Sequence, residues 1–187
     1  MSTQLLTNKI PSKVTGWWVS EKYDGVRAIW NGRKLLTRNG KDLKAPAWFI
    51  KGLPKNMRLD GELWMGRDTF NTLVSVIQVK DSDWQGVRYM IFDLAEIGCF
   101  EDRTSALLRT KLPAHVVVVQ HKILSGHKQL AAMESDIVAN GGEGCVIRRP
   151  GCQYRPGRAG DVIKVKRLVA DIDRWHGSFD FGVGLSY

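Results

Sequence analysis

Short apolar runs bounded by glycine, proline and asparagine recur from Trp17 to Arg167, and they read as strands joined by turns and a few helices. Trp17, Trp18 and Val19 lead into a strand that ends near Lys22, where Asp24 and Gly25 turn the chain. Val26 to Trp30 and Arg33 to Arg38 flank Asn31 and Gly32, a pair that predicts a tight two-residue hairpin with Arg27 and Arg38 near opposite ends of its strands, close to Lys22. Pro46 opens a short helix carrying Trp48, Phe49 and Ile50 on an apolar face. Met57 to Trp64 reads as a strand interrupted at Asp60 and Gly61, which sets Glu62 in an unusual position. Thr69 to Gln78 is a helix capped by Thr69, with Phe70, Leu73, Val74 and Ile77 on one face. Val87 to Leu94 is a largely apolar, buried strand, in which Phe92 belongs by default to the core.

Further on, Arg103 to Leu112 reads as a helix and His115 to Gln120 as a strand. Gly126 to Asn140 is a helix with Leu130, Met133 and Ile137 on one face, ended by Gly141 and Gly142. Cys145 to Arg149 and Asp161 to Arg167 are strands flanking a Gly/Arg-rich loop, Pro150 to Gly160. In the last strand the alternation sets Lys164 and Lys166 on one face and the valines on the other. Two inward lysines are costly unless anions meet them; the plainer alternative is an edge strand guarded by lysines. Residues 1 to 16 are a polar leader, a loop or a short edge piece.

Composition narrows the class. With 187 residues, 43% hydrophobic and 25% charged, the chain suits one globular domain with a core of its own. No apolar run reaches a membrane span and no secretory leader precedes the first strand, so a cytoplasmic setting without a membrane is expected. Cys99, Cys145 and Cys152 lack paired spacing and read as reduced thiols. His115, His121 and His127 fit neither a helical nor a strand period and are expected as surface groups, not a metal site. Trp17, Trp18, Trp30, Trp48, Trp64 and Trp84 are expected to fill the core and its rim. Lysine and arginine total 28 against 19 acids, a net charge of +9, which favours a polyanionic partner. The excess is densest from Arg148 to Arg167, where Arg148, Arg149, Arg155, Arg158, Lys164, Lys166 and Arg167 face a single acid, Asp161; this stretch is either a solvated basic face or a phosphate-binding surface.

Lys22 is the candidate for chemistry. A lysine on a rigid strand end, followed by a glycine that admits another backbone or a ligand, is placed to act as a nucleophile; the plainer alternative, for this stretch alone, is a solvated surface lysine beside a turn. Downstream the chain supplies its company: Lys22-Tyr23-Asp24-Gly25-Val26-Arg27, Leu59-Asp60-Gly61-Glu62, Ile91-Phe92-Asp93, Glu143-Gly144-Cys145-Val146-Ile147-Arg148 and Lys164-Val165-Lys166. In that order these segments resemble the motifs of covalent nucleotidyltransferases. They are most similar to ATP-dependent DNA ligases of the minimal bacterial type, whose opening resembles Val19 to Ala28 and which share an Ala-Pro-Ala-Trp-Phe segment like Ala45 to Phe49.

The resemblance implies an α+β nucleotidyltransferase domain, ATP-grasp-like, over residues 1–167, with antiparallel sheets flanked by helices and the nucleotide between them. It implies that Lys22 attacks the α-phosphate of ATP, and that the AMP then passes to the 5′-phosphate of nicked double-stranded DNA. A lysine ammonium cannot attack, so Lys164, Lys166 and bound Mg²⁺ are expected to disfavour the charge on Lys22 and to stabilise the transferring phosphate. By the same resemblance Arg27 and Glu62 hold the ribose, Phe92 stacks on adenine, and the backbone at Glu21 reads the adenine edge. Glu143 serves nucleotide and metal, with Glu62 as a second metal carboxylate; Lys164 and Lys166 contact phosphates, and Arg38 grips the 5′-phosphate of the nick. Family members continue into an OB-fold domain of about 70 residues or more, which Leu168 to Tyr187 are too few to form. The expectation is therefore a C-terminal tail over residues 168–187, a monomer, and ligase activity that depends on a separate OB-fold protein or is impaired. The alternatives are an RNA ligase or a capping guanylyltransferase of the same superfamily, and a DNA-binding module that has lost its chemistry.

Overall fold

Val19, Cys145, Ile147, Ile163 and Val165 alternate with polar or groove-facing neighbours on three strands, and burying that apolar face builds the first of two sheets. In the computed structural model, which describes residues 4–7, 9–79, 82–155 and 157–166, this sheet runs β1-β10-β9-β2-β8. Its strands are β1 (Gln4–Thr7), β2 (Trp18–Glu21), β8 (Lys122–Ile123), β9 (Cys145–Arg148) and β10 (Gly157–Val165). The centre is antiparallel, with Val19 opposite Ile147 and Ile163 opposite Ile147 on its other side, while β1 joins the edge in parallel. Part of the N-terminal leader is thus an edge strand. The helix α4 (His127–Ala139) closes the apolar face with Leu130, Met133 and Ile137, as its periodicity predicts.

The second sheet runs β4-β3-β5-β6-β7, with β3 (Val26–Trp30), β4 (Leu35–Thr37), β5 (Leu59–Trp64), β6 (Arg88–Leu94) and β7 (Val116–Val118). All its pairings are antiparallel except β6 with β7. Leu59, Leu63, Tyr89 and Ile91 bury one face of it against Phe49 of α1 (Ala47–Ile50), Leu73 of α2 (Phe70–Gln78) and Leu107 of α3 (Phe100–Arg109). Each sheet therefore spends one face on its own helical layer. The two remaining faces meet across a groove lined from both sides.

Several local expectations change. The hairpin turn spans residues 31 to 34, because Trp30 pairs with Leu35 and the Asn31 side chain accepts hydrogen bonds from the Arg33 and Lys34 amides at 3.0 and 2.8 Å. That Asx-type turn replaces the two-residue one. Trp48 points outward and only Phe49 of its helix is fully buried, since a single helical turn presents one narrow face. β5 runs unbroken through Asp60 and Gly61. Thr69 does not cap α2: its hydroxyl donates to the Gly66 carbonyl at 3.0 Å. α3 begins earlier than expected, at Phe100, because Phe100, Arg103 and Leu107 form its buried stripe. In β10, Val162 shares the groove-side face with Lys164, and Ile163 and Val165 take the core, so the valines do not lie together. Arg167 and the expected tail over residues 168–187 lie outside the described residues.

Candidate active site

The groove is lined by Ser20, Glu21, Lys22 and Tyr23 from the end of β2, by Val146, Arg148 and Val162 beside them, and by Arg27, Asp60, Glu62, Phe92 and Asp93 from the facing sheet. Lys22 is set there by its backbone, whose amide donates to the Gly144 carbonyl at 2.8 Å and so continues the pairing of β2 with the segment that carries Glu143. Its ammonium is ion-paired with one oxygen of Glu143, and Lys166 pairs with the other. Burial works against the Glu143 carboxylate, but the hydrogen bonds from Lys166 and Lys22 hold it below the usual range. Gly25 supplies the close approach expected after Lys22: a Cβ there would lie 2.0 Å from the Leu63 carbonyl oxygen and 2.9 Å from the Glu62 side chain.

Arg27 and Glu62 are direct partners across β3 and β5. Arg27 forks onto the fully buried Asp60, with Nε 2.8 Å from Oδ1, and the hydroxyl of Tyr154 donates to Asp60 Oδ2 at 2.7 Å. Burial opposes the Arg27 charge, yet Asp60 holds the guanidinium protonated more firmly than usual. Glu62 behaves differently, for burial pushes it up to about 8 against the pull of Arg27 and Lys22. Its native pKa lies above the ordinary 4.5, so the stability it contributes is full below that value and is lost as pH rises through about 8. Glu62→Gln is therefore expected to match the wild-type thermal midpoint near about pH 5 and to exceed it near about pH 9. A scan at both pH values checks this; a constant offset would exclude the titration.

Phe92 owes its place to a β-bulge. Asp60 pairs with Asp93 and Gly61 with Ile91, so Phe92 is the extra residue in β6, and both it and Asp93 turn toward the groove while Ile91 and Leu94 stay in the core. Gly61 permits this, since a Cβ there would lie 2.5 Å from the Met90 carbonyl oxygen. The Arg27 guanidinium lies 5.1 Å from the Phe92 ring centroid. Phe92 is thus a groove residue, and its default assignment to the core is corrected.

The remaining candidates are dispersed. Glu21 reaches the groove beside Lys22, and its carboxylate pairs with Arg67. Lys164 is half-buried opposite Val146 on the groove-side face but is not among the lining residues. Arg38 is exposed in the turn after β4, at the open end of the hairpin and outside the groove. The basic stretch is not one solvated face. Arg148 is 4% exposed and donates to Asp93 at 2.8 Å, Arg149 pairs with Asp161, and the Arg158 side chain lies outside the described residues. The histidines turn inward: His115 Nε2 is 2.7 Å from the Phe49 carbonyl oxygen and His127 Nε2 is 3.0 Å from that of Pro11. Burial and the Arg148 charge push His121 down to about 4, so it is neutral beside Phe100.

Asp60, Asp93, Arg148 and Tyr154 are the site residues that sequence reasoning passed over. An acid at the end of the apolar strand around Phe92 was the available signal, because a buried carboxylate needs cations beside it. As to a metal, no group of three or more His, Cys, Asp or Glu side chains could cage an ion among the described residues. Glu62 lines the groove and Glu143, though not among the lining residues, pairs with Lys22 beside it, and one or two carboxylates completed by phosphates and water suit Mg²⁺. No helix among the described residues is long and apolar enough to cross a membrane.

Known proteins share the family and the fold. A family model described as the ATP dependent DNA ligase domain matches residues 5–166. A DNA ligase of Haemophilus influenzae is 32% identical over 158 residues, which make up 82% of this chain and 59% of that protein, so the chain spans well under two thirds of that relative. A structure from a structure-function study of Lig E DNA ligases superposes with a TM-score of 0.83 at 34% identity, covering 89% of this chain and 69% of that one. The Chlorella virus DNA ligase-adenylate shares the fold, with a TM-score of 0.76 at 20% identity over 89% of this chain and 67% of that one.

Proposed function

Since the chain belongs to the ATP-dependent DNA ligase family, we propose that its groove carries out the adenylylation chemistry of nick sealing in DNA. The observation that carries this reading is Lys22, held by its backbone at the end of β2 with its amine on Glu143, opposite Arg27, Glu62 and Phe92. Adenine stacks on Phe92, the ribose lies between Arg27 and Glu62, and the phosphates run toward Lys164 and Lys166. Lys22 Nζ, once its ammonium has lost a proton to water, attacks the α-phosphorus: a P–N bond forms, the P–O bond breaks with its electron pair leaving on pyrophosphate, and the nitrogen passes one further proton to water. A 5′-phosphate oxygen of the nick then displaces the lysine to take the AMP, and the 3′-hydroxyl finally attacks that 5′-phosphate and releases AMP.

Glu143 has two duties before the transfer. It orients Lys22 Nζ into the groove, and it neutralises Lys166 until phosphate oxygens arrive. Glu143 and Glu62 would hold Mg²⁺, which when bound supplies positive charge to the triphosphate oxygens. The exposed Arg38 and the net charge of +9 support contact with the DNA backbone.

The test is a pulse and chase. ATP labelled at the α-phosphate is incubated with protein and Mg²⁺, unbound nucleotide is removed, and nicked DNA with a 5′-phosphate is added. An acid-labile label on the protein that moves to the DNA is expected. Label that stays on the protein with nicked DNA but leaves with nicked RNA would overturn the DNA assignment, and absence of label together with no sealing of pre-adenylylated nicked DNA would overturn the reading as a whole.

A further inference from the structure

Lys22, Glu143, Arg27 and Phe92 account for the groove, but a buried cation behind it has no part in that chemistry. Arg103 is 2% exposed, is not among the groove-lining residues, and projects from the apolar stripe of α3 between Phe100 and Leu107. All three of its nitrogens donate. Nε donates to Asp93 Oδ1 at 2.7 Å and Nη2 to Asp93 Oδ2 at 3.1 Å, while Nη1 donates to the Cys152 carbonyl at 3.1 Å and also to that of Gly98. The guanidinium carbon lies 5.8 Å from the Phe100 ring centroid and 5.9 Å from that of Tyr154.

Two walls of the groove converge on this side chain. One is the bulge of β6, where Asp93 immediately follows Phe92 and is gripped by Arg103 from behind and by Arg148 from the other sheet. The other is the loop after β9, whose Cys152 carbonyl rests on Arg103 and whose Tyr154 hydroxyl reaches Asp60, the carboxylate that fixes Arg27 beneath the Phe92 ring. A bulged residue lacks the regular ladder that orients its neighbours, so its direction depends on what holds the residues beside it. We propose that Arg103 is a positioning residue for the nucleotide base, fixing Phe92 through Asp93 and Arg27 through Tyr154 and Asp60. This rests on the reading above, in which Phe92 is the surface on which adenine stacks. Lysine cannot serve, because four acceptors in two directions need the planar fork and not a point charge.

The readout is the KM for ATP in formation of the acid-labile label and the rate at saturating ATP, for wild type, Arg103→Lys, Phe92→Ala and the double variant. Arg103→Lys is expected to raise KM about tenfold, part of what one stacked base contributes, and to leave the saturated rate within about threefold of wild type. In the Phe92→Ala background the same substitution is expected to raise KM by no more than about threefold, because the ring is gone and only the path through Tyr154, Asp60 and Arg27 remains. KM is compared only among variants shown by circular dichroism to be folded at the assay temperature, because a reversibly unfolded fraction would itself raise it. Should Arg103→Lys not fold, Tyr154→Phe removes one hydroxyl on the second path and is expected to raise KM about threefold with or without Phe92, because it acts through Asp60 and Arg27. Unchanged KM in the folded variants, or a rise from Arg103→Lys that is equal in both backgrounds, would overturn the proposal and leave Arg103 a purely structural group. Absence of label on the wild type, with no sealing of pre-adenylylated nicked DNA, would instead bring down the functional reading, and the proposal with it.

Discussion

Lys22→Arg is expected to form no acid-labile adenylate, a loss on the order of 10⁴-fold or more in labelling, while binding ATP within a few fold of wild type. Arginine keeps the positive charge that pairs with Glu143, so the local electrostatics and the pairing of the backbone with Gly144 persist. A guanidinium does not shed its proton at any working pH, and so it offers no lone pair for attack on phosphorus. Labelling with α-phosphate-labelled ATP, set beside calorimetric titration of the same variant with ATP, separates lost chemistry from lost binding. Retained label would mean that another group is the nucleophile.

Asp93→Asn is expected to destabilise the fold by about 3–5 kcal/mol, because it leaves two buried guanidiniums facing a neutral amide. Against a typical stability of about 5–15 kcal/mol, that loss is enough to unfold much of the protein at elevated temperature. Arg103, Arg148 and Asp93 are each nearly inaccessible, and Asp93 is the carboxylate that joins the two sheets at this end of the groove. Denaturant titration gives the magnitude. Adding Arg103→Met and Arg148→Met to Asp93→Asn is expected to recover much of the loss, since apolar side chains of similar length remove the uncompensated charges. A cost below about 1 kcal/mol for Asp93→Asn alone would show that water, not Asp93, meets those cations.

That Lys22, Arg27, Glu62 and Phe92 belong together came only from the resemblance carried by the five ordered segments, and these four residues do line one groove. The helical face of Leu130, Met133 and Ile137 was legible, since an amphipathic stripe of that length has few other uses. What the hydrophobic pattern alone hid depended on register. A period-two pattern assigns Phe92 to a face only while the ladder is regular, and one extra residue opposite Asp60 and Gly61 turns it outward. Arg148 read as part of a basic surface because charge counts carry no information about a carboxylate supplied by a strand of the other sheet. Arg103 marked the start of the expected helix, whereas it is the polar member of a buried stripe that begins at Phe100. Trp48 was misplaced for a simpler reason: one turn of helix cannot bury three consecutive large residues.

The central claim is a covalent bond between Lys22 and AMP. The most direct measurement is tandem mass spectrometry of peptides from the full chain after incubation with ATP and Mg²⁺, under conditions that preserve the acid-labile linkage. An adenylyl group on Lys22, and on no other lysine, is the expected result. An adenylyl group on Lys164 or Lys166, or an unmodified Lys22 peptide in protein that has released pyrophosphate, would contradict it.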